Sequence, residues 1–226
     1  MAKTISIAID GPAGAGKSTI ARRLAGELGY YYVDTGAIYR TVAYFLDLLG
    51  VSPKDADGVR RYIDELTIEI EYDEEGKQHM IMNGMDVSDE IRTQDISQKA
   101  SLVSAHPEVR EMLLDMQREV AEKHNVIMDG RDIGTVVLPK ATVKIFLTAD
   151  PAVRARRRCD ELLAKGQKAD FEQTLKDIQQ RDYQDTHRAI APLKMARDSV
   201  KVDTSELDID GVVEAIRRIV AQKVEL

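Results

Sequence analysis

The chain has 226 residues, 43% hydrophobic and 31% charged, with a formal net charge of −7. That is ordinary for a soluble globular protein of one domain with modest insertions, and the acidic balance gives no sign of nucleic acid as the main partner. One cysteine, Cys159, excludes an internal disulfide; no stretch has the apolar length of a signal peptide or a membrane span, so the expectation is a soluble cytoplasmic protein without a membrane partner.

Thr4–Asp10, TISIAID, reads as a buried parallel strand. Helical spacing follows from Gly16 to Leu28, through Ile20, Leu24 and Leu28, and Gly29 ends it. Tyr30–Val33 reads as a second strand and Thr35–Leu49 as a second helix, closed by Gly50. This order of strand, glycine loop, helix, strand and helix predicts an α/β fold around a parallel sheet. Leu66–Tyr72, LTIEIEY, alternates strictly, and with the turn at Asp73–Lys77 and the return at His79–Met82 it reads as an antiparallel hairpin. Residues 53–92 are therefore expected to form a small insertion. Helices at Thr93–Ser104 and Pro107–Lys123 lead back to core strands at Val126–Met128 and Val143–Leu147. Pro151–Lys165 and Phe171–Ile190 read as helices, Ser199–Val202 as a fifth strand and Ile209–Val224 as an amphipathic closing helix.

Gly11-Pro12-Ala13-Gly14-Ala15-Gly16-Lys17-Ser18 fits G-x-x-x-x-G-K-[ST], between a predicted strand and a predicted helix. The loop from Gly11 to Thr19, all but Pro12 bearing a backbone N–H, can cradle phosphates at the helix N-terminus. Lys17 adds a full charge at the β/γ-phosphates, and Ser18 offers a hydroxyl to Mg²⁺. The loop alone names no reaction. A guanine-nucleotide switch would carry N-K-x-D, which is absent from the sequence. A small kinase needs a second, cationic site for a phosphate acceptor. Arg40 in Asp34-Thr35-Gly36-Ala37-Ile38-Tyr39-Arg40 and Arg131 in Asp129-Gly130-Arg131-Asp132 both follow predicted strands, where parallel sheets bind ligands. Asp129 ends its strand either as an acid that orders Mg²⁺ through water or as a buried partner for an arginine.

The segments IDGPAGAGKST, VDTGAIYR, DVSDEIRT and MDGRDIGTVVLP, with the later RD…D..R..APL, closely resemble bacterial cytidylate kinases, from Ile7 to about Asp203. Ser18 stands where some members have glycine. The resemblance implies a P-loop NTPase-type three-layer sandwich with a five-stranded parallel core sheet. It also implies an inserted monophosphate-binding subdomain, around residues 53–92, and a helical lid, around residues 151–190. It implies transfer of the γ-phosphoryl group of ATP, with Mg²⁺, to CMP or dCMP; a monomer is expected. By matching motif positions, Thr35, Arg40, Ser101, Arg110, Asp129, Arg131, Asp132, Arg181, Asp185 and Arg188 are implied to bind the acceptor, and Lys17, Arg131 and Arg188 to be catalytic. Cytosine offers an amino donor and two acceptors, so a carboxylate such as Asp132 suits its amino group. Arg154, Arg157 and Arg158 share one helical face, where a solvated or Glu161-paired stripe is one reading and a lid over ATP the other; Arg157 is taken as the phosphate contact. Arg181, Asp185 and Arg188 recur at i, i+4 and i+7, and the two arginines are not apportioned between donor and acceptor.

Overall fold

The structure, a computed structural model, describes residues 4–224. Strand β1 (Ser6–Asp10) leads into helix α1 (Lys17–Leu28), strand β2 (Tyr31–Asp34) and helix α2 (Thr35–Leu48). A short helix α3 (Ala56–Tyr62) precedes β3 (Ile68–Tyr72), β4 (Gln78–Met82) and β5 (Met85–Asp86). Helices α4 (Gln94–Val103) and α5 (Pro107–Lys123) follow, then β6 (Val126–Gly130), β7 (Val143–Thr148), α6 (Pro151–Ala164), α7 (Phe171–His187), β8 (Val200–Asp203) and α8 (Ile209–Lys223). The core sheet has five parallel strands in the order β2-β6-β1-β7-β8, the expected α/β architecture, and β3-β4-β5 form a second, antiparallel sheet. Among the described residues, no helix is long and apolar enough to cross a membrane.

The chain forms two compact units. One comprises Tyr30–Val126; the other comprises Ile5–Gly29 and the chain from Ile127 onward. In the second unit β1 is central, and Ile7, Ala8 and Ile9 are wholly buried, as both faces of a parallel sheet require. Its register with β7 runs from Ile7 opposite Val143 to Asp10 opposite Phe146. Helix α1 buries Ile20, Ala21, Leu24 and Ala25, and α8 packs on it through a stripe of Val212, Val213, Ile216 and Val220. Each large side chain in that interface contributes about 1.5–3 kcal/mol, so Leu24→Ala alone should cost about 2–5 kcal/mol. Gly29, at φ 66, closes α1 and returns its N–H to Ala25 O. In the first unit α2 buries Ile38, Val42, Phe45 and Leu46 and packs against α4.

Four features depart from the sequence expectations. The hairpin has a third strand, β5, reached through Asn83 and Gly84 at φ 49 and 80, the backbone of a type I′ turn. Helix α3 is additional. Residues Ile133–Val137 form a single π-helical turn after β6. The helix expected over Phe171–Ile190 ends at His187, and Arg188 has already left it at φ −61, ψ 142. Its Nε donates to Ala191 O at 2.7 Å, and the N–H of Leu193 returns to Asp185 O at 2.8 Å. Pro192 cannot extend the helical ladder, and Ala191 turns the chain at φ 46. Arg188 is therefore off the helical stripe that carries Arg181 and Asp185.

Candidate active site

The phosphate loop lies in the second unit, between β1 and α1. Its first residue must be glycine, because at φ 153 a Cβ would fall 1.9 Å from Leu147 O. Lys17 is 5% exposed, and its Nζ donates to Pro12 O at 2.8 Å, across the loop. Burial, reinforced by the charge of Arg131, pulls the Lys17 ammonium down to about 7, against the opposing pull of Asp129 and Asp185. Ser18 Oγ donates to Asp129 Oδ2 at 3.0 Å, so the loop hydroxyl meets the carboxylate at the end of β6.

Around that pair the second unit holds a set of arginines, most of them on an acid. Arg131 Nε donates to Asp185 Oδ2 at 2.8 Å. Burial pushes the Asp185 carboxyl up, but the charge and hydrogen bond of Arg131, with the charges of Arg181 and Arg188, outweigh it and hold it below the ordinary range. Arg188 Nη2 donates to Asp132 Oδ1 at 3.2 Å; Asp132 is buried, and the Arg188 side chain is 9% exposed. Arg154 Nη1 donates to Ala13 O in the loop at 3.0 Å, while its guanidinium spans both oxygens of Asp182 on α7 at 3.0 and 2.6 Å. Arg157 donates instead to Thr204, at Oγ1 (3.0 Å) and O (2.6 Å). Arg158 pairs with Glu161 at 3.1 Å on the surface.

Asp10, the last residue of β1, is buried. It accepts from the N–H groups of Ile133 and Gly134, both at 2.8 Å. Burial lifts its carboxyl to about 6 in spite of those two bonds. The carboxylate thereby ties the base of the phosphate loop to the π-helical turn immediately after Arg131 and Asp132.

The first unit carries Thr35, Arg40, Ser101 and Arg110. Asp34 caps α2, its Oδ1 accepting from the Ala37 N–H at 2.9 Å, while its Oδ2 accepts from Arg40 Nη2 at 3.0 Å. Thr35, the first residue of α2, is buried. Arg40 folds back over Gly36, where a Cβ would stand 3.0 Å from Nη1. The buried Arg40 Nε has no hydrogen-bond partner among the described residues. Arg110, on α5, donates to Ser104 O at 3.3 Å and lies over the Tyr39 ring at 5.7 Å. Ser101 lies on α4, half-buried.

Chemically, the second unit gathers a phosphate cradle, a buried lysine, a hydroxyl–carboxylate pair and a group of acid-held arginines. The model of the cytidylate kinase family matches residues 7–222. The chain belongs to the cytidylate kinase family. A cytidylate kinase of an Exiguobacterium species is 46% identical over 98% of this chain and 99% of its own. Those of Anoxybacillus flavithermus and Carboxydothermus hydrogenoformans are 47% and 48% identical, over 100% and 96% of this chain and 100% and 97% of their own. A solved structure of an uncharacterised protein from Eubacterium ventriosum matches at a TM-score of 0.52 and 14% identity, covering 96% of this chain and 99% of its own, a likeness of fold alone.

In this family member the structure brings Lys17, Ser18, Asp129, Arg131, Asp132, Asp185 and Arg188 into one unit, linked by the contacts above. Three participants were missed by the sequence reading. Asp10 had a signal, a charged residue closing an apolar strand directly before Gly11. Asp182 sits three residues before Asp185 on one helical face. Arg154 belongs to the basic stripe of the sequence, and nothing in its spacing distinguishes it from Arg157.

Proposed function

We propose that this cytidylate kinase family member transfers the γ-phosphoryl group of ATP to CMP or dCMP, giving CDP or dCDP and ADP. Full-length membership in the family supports the choice of acceptor. The observation that carries the chemistry is the gathering of Lys17, Ser18, Asp129 and the Arg131–Asp185 pair around one phosphate loop. The backbone from Gly11 to Thr19 cradles the donor phosphates, and Lys17 and Arg157 add charge to them. Ser18 Oγ and Asp129 Oδ2, 3.0 Å apart, are hard oxygen groups that suit Mg²⁺. When bound with ATP, that ion neutralises charge on the β- and γ-phosphates.

No general base is needed, because a phosphate monoester with a second pKa of about 6 is already largely dianionic at neutral pH. Catalysis therefore rests on position and charge. Arg131 and Arg188 neutralise the transferring phosphoryl group, and Asp185 and Asp132 hold their guanidinium groups in place beforehand. Arg40, with its buried Nε, and Thr35 take the acceptor phosphate. Asp132 accepts from the cytosine amino group, Ser101 and Arg110 meet the other base atoms, and Asp185 accepts from a ribose hydroxyl, with Arg181 beside it. Residues 53–92 serve the monophosphate-binding part. Residues 151–190 serve as a lid that excludes water, the competing acceptor. The protein acts as a cytoplasmic monomer on these small molecules alone.

The test is ADP release from ATP and Mg²⁺ with and without CMP. Release that depends on CMP supports the reading. Tight ATP binding with no turnover, or hydrolysis indifferent to CMP, would overturn it.

A further inference from the structure

The antiparallel hairpin of the first unit grips β2 at two points. Tyr72 and Gln78 stand directly opposite each other at the turn end of β3 and β4. Tyr72 Oη donates to Tyr32 O at 3.0 Å, and its ring packs edge-on against Tyr31 with centroids 4.8 Å apart. Gln78 is 7% exposed and turns its amide toward the main chain of Asp34 and the sulfur of Met80. Its Oε1 accepts from the Asp34 N–H at 2.7 Å; its Nε2 donates to Met80 Sδ at 3.0 Å and, more weakly, to Asp34 O at 3.4 Å. A carboxamide does here what a neighbouring strand would do, offering an acceptor and a donor to the main chain of one residue.

That grip fixes the backbone of Asp34, at φ −79, ψ 92, and so the direction of its carboxylate. Both carboxylate oxygens are then engaged, Oδ1 on the N-terminus of α2 and Oδ2 on Arg40 Nη2. The guanidinium is held against Gly36 with Nε buried and without a partner among the described residues. Such a donor is aimed in advance, and a phosphate oxygen is the group that would complete it. We infer that Gln78 is a positioning residue for the acceptor phosphate: through Asp34 it sets the orientation of Arg40, so that the inserted hairpin tunes affinity for the nucleoside monophosphate and not for ATP. The inference rests on Arg40 as an acceptor-phosphate contact.

The test compares KM for CMP and KM for ATP in the full-length wild type and five variants. Gln78→Met keeps the buried volume but removes both bonds to Asp34. It should raise KM for CMP about tenfold, within the range expected when a contact is misplaced by a fraction of an ångström, and leave KM for ATP within about twofold. Tyr72→Phe loses the bond to Tyr32 but keeps its ring packing; it should lower the melting temperature and change neither KM. In Gln78→Met/Arg40→Met, the KM for CMP should match that of Arg40→Met alone, because the relay has nothing left to position. Independent, multiplying effects would overturn the relay, as would an equal rise in both KM values for Gln78→Met. Were Gln78→Met not to fold, Gln78→Glu keeps the bond from the Asp34 N–H but sets a second carboxylate beside Asp34; the same selective rise is expected, and an unchanged KM for CMP would overturn the inference. A raised KM for CMP in Arg40→Met but not in the Gln78 variants defeats the relay alone. An unchanged KM in Arg40→Met defeats the acceptor reading of Arg40 itself.

Discussion

Replacing Arg154 by Met should destabilise the protein and weaken its hold on ATP. Arg154 is 3% exposed, and every guanidinium nitrogen is engaged: Nε on Ala149 O at 2.9 Å, Nη1 on Ala13 O and Asp182 Oδ1 at 3.0 Å, and Nη2 on Asp182 Oδ2 at 2.6 Å. Its Cβ also lies where a side chain on Gly14 would meet it, at 3.3 Å. Methionine keeps that packing and removes the fork. Breaking a buried pair from one side costs about 3–5 kcal/mol. The Asp182 side chain is 24% exposed, so water can take up part of the freed carboxylate. The two carbonyls also lose their donor, which offsets that relief, so the expected loss stays at about 3–5 kcal/mol. Urea unfolding at matched pH should show it as a lower midpoint with an unchanged slope. Asp182→Asn should cost less, and the double variant should fall short of the sum by about 2 kcal/mol, the coupling expected of direct partners. Because Ala13 belongs to the phosphate loop, KM for ATP should rise severalfold while KM for CMP stays near its native value. Arg154→Met within about 0.5 kcal/mol of wild type, the range of an ordinary surface change, would refute the clamp; so would a rise in KM confined to CMP.

Asp10 makes a prediction about pH. Its carboxyl sits near 6 in the folded protein against an ordinary 3.8, so the folded state holds the proton more tightly than the unfolded chain. Stability from this group is greatest in acid and is lost as pH rises from about 4 to 6, by about 3 kcal/mol at 1.36 kcal/mol per pH unit. Urea unfolding between pH 4 and 7 should therefore show Asp10→Asn lacking that fall; identical pH dependence in variant and wild type would contradict it. Lys17, drawn down to about 7 by burial and Arg131, is largely neutral at pH 8, and a bound polyphosphate must restore its charge. Titration calorimetry in buffers of different ionisation enthalpy should show proton uptake on ATP binding at pH 8, approaching one per site. A heat independent of buffer would rule this out. Asp132→Ala should weaken CMP binding by about 1–3 kcal/mol if the carboxylate reads the cytosine amino group, and an unchanged preference for CMP over UMP would move base reading elsewhere.

The sequence was informative wherever a local rule decided the structure. TISIAID before a glycine loop predicts β1 and its place ahead of that loop. LTIEIEY predicts β3, and Gly29 predicts the end of α1, because each depends on neighbours along the chain. The third strand was legible in principle from Asn83-Gly84, but two residues give no alternation to read. The end of α7 was not legible: helical counting puts Arg188 at i+7, and only the backbone turn at Ala191 takes it off the stripe. Site residues divide in the same way. Lys17, Ser18, Arg40 and Arg131 lie in motifs or at strand ends. Asp10 acts on Ile133 and Gly134, 123 and 124 residues further on, and Arg154 on a loop 141 residues away. No spacing rule reaches those pairings, which exist only once β1 and β7 and helices α6 and α7 have packed.

The central claim is phosphoryl transfer to a cytidine monophosphate, and an acceptor panel tests it most directly. Initial rates of ADP formation from ATP and Mg²⁺ are compared for CMP, dCMP, UMP, AMP and GMP as kcat/KM. The account predicts that CMP and dCMP are the best acceptors and that UMP, whose hydrogen-bonding polarity is reversed at base positions 3 and 4, falls well behind. Equal efficiency with AMP or GMP would contradict it.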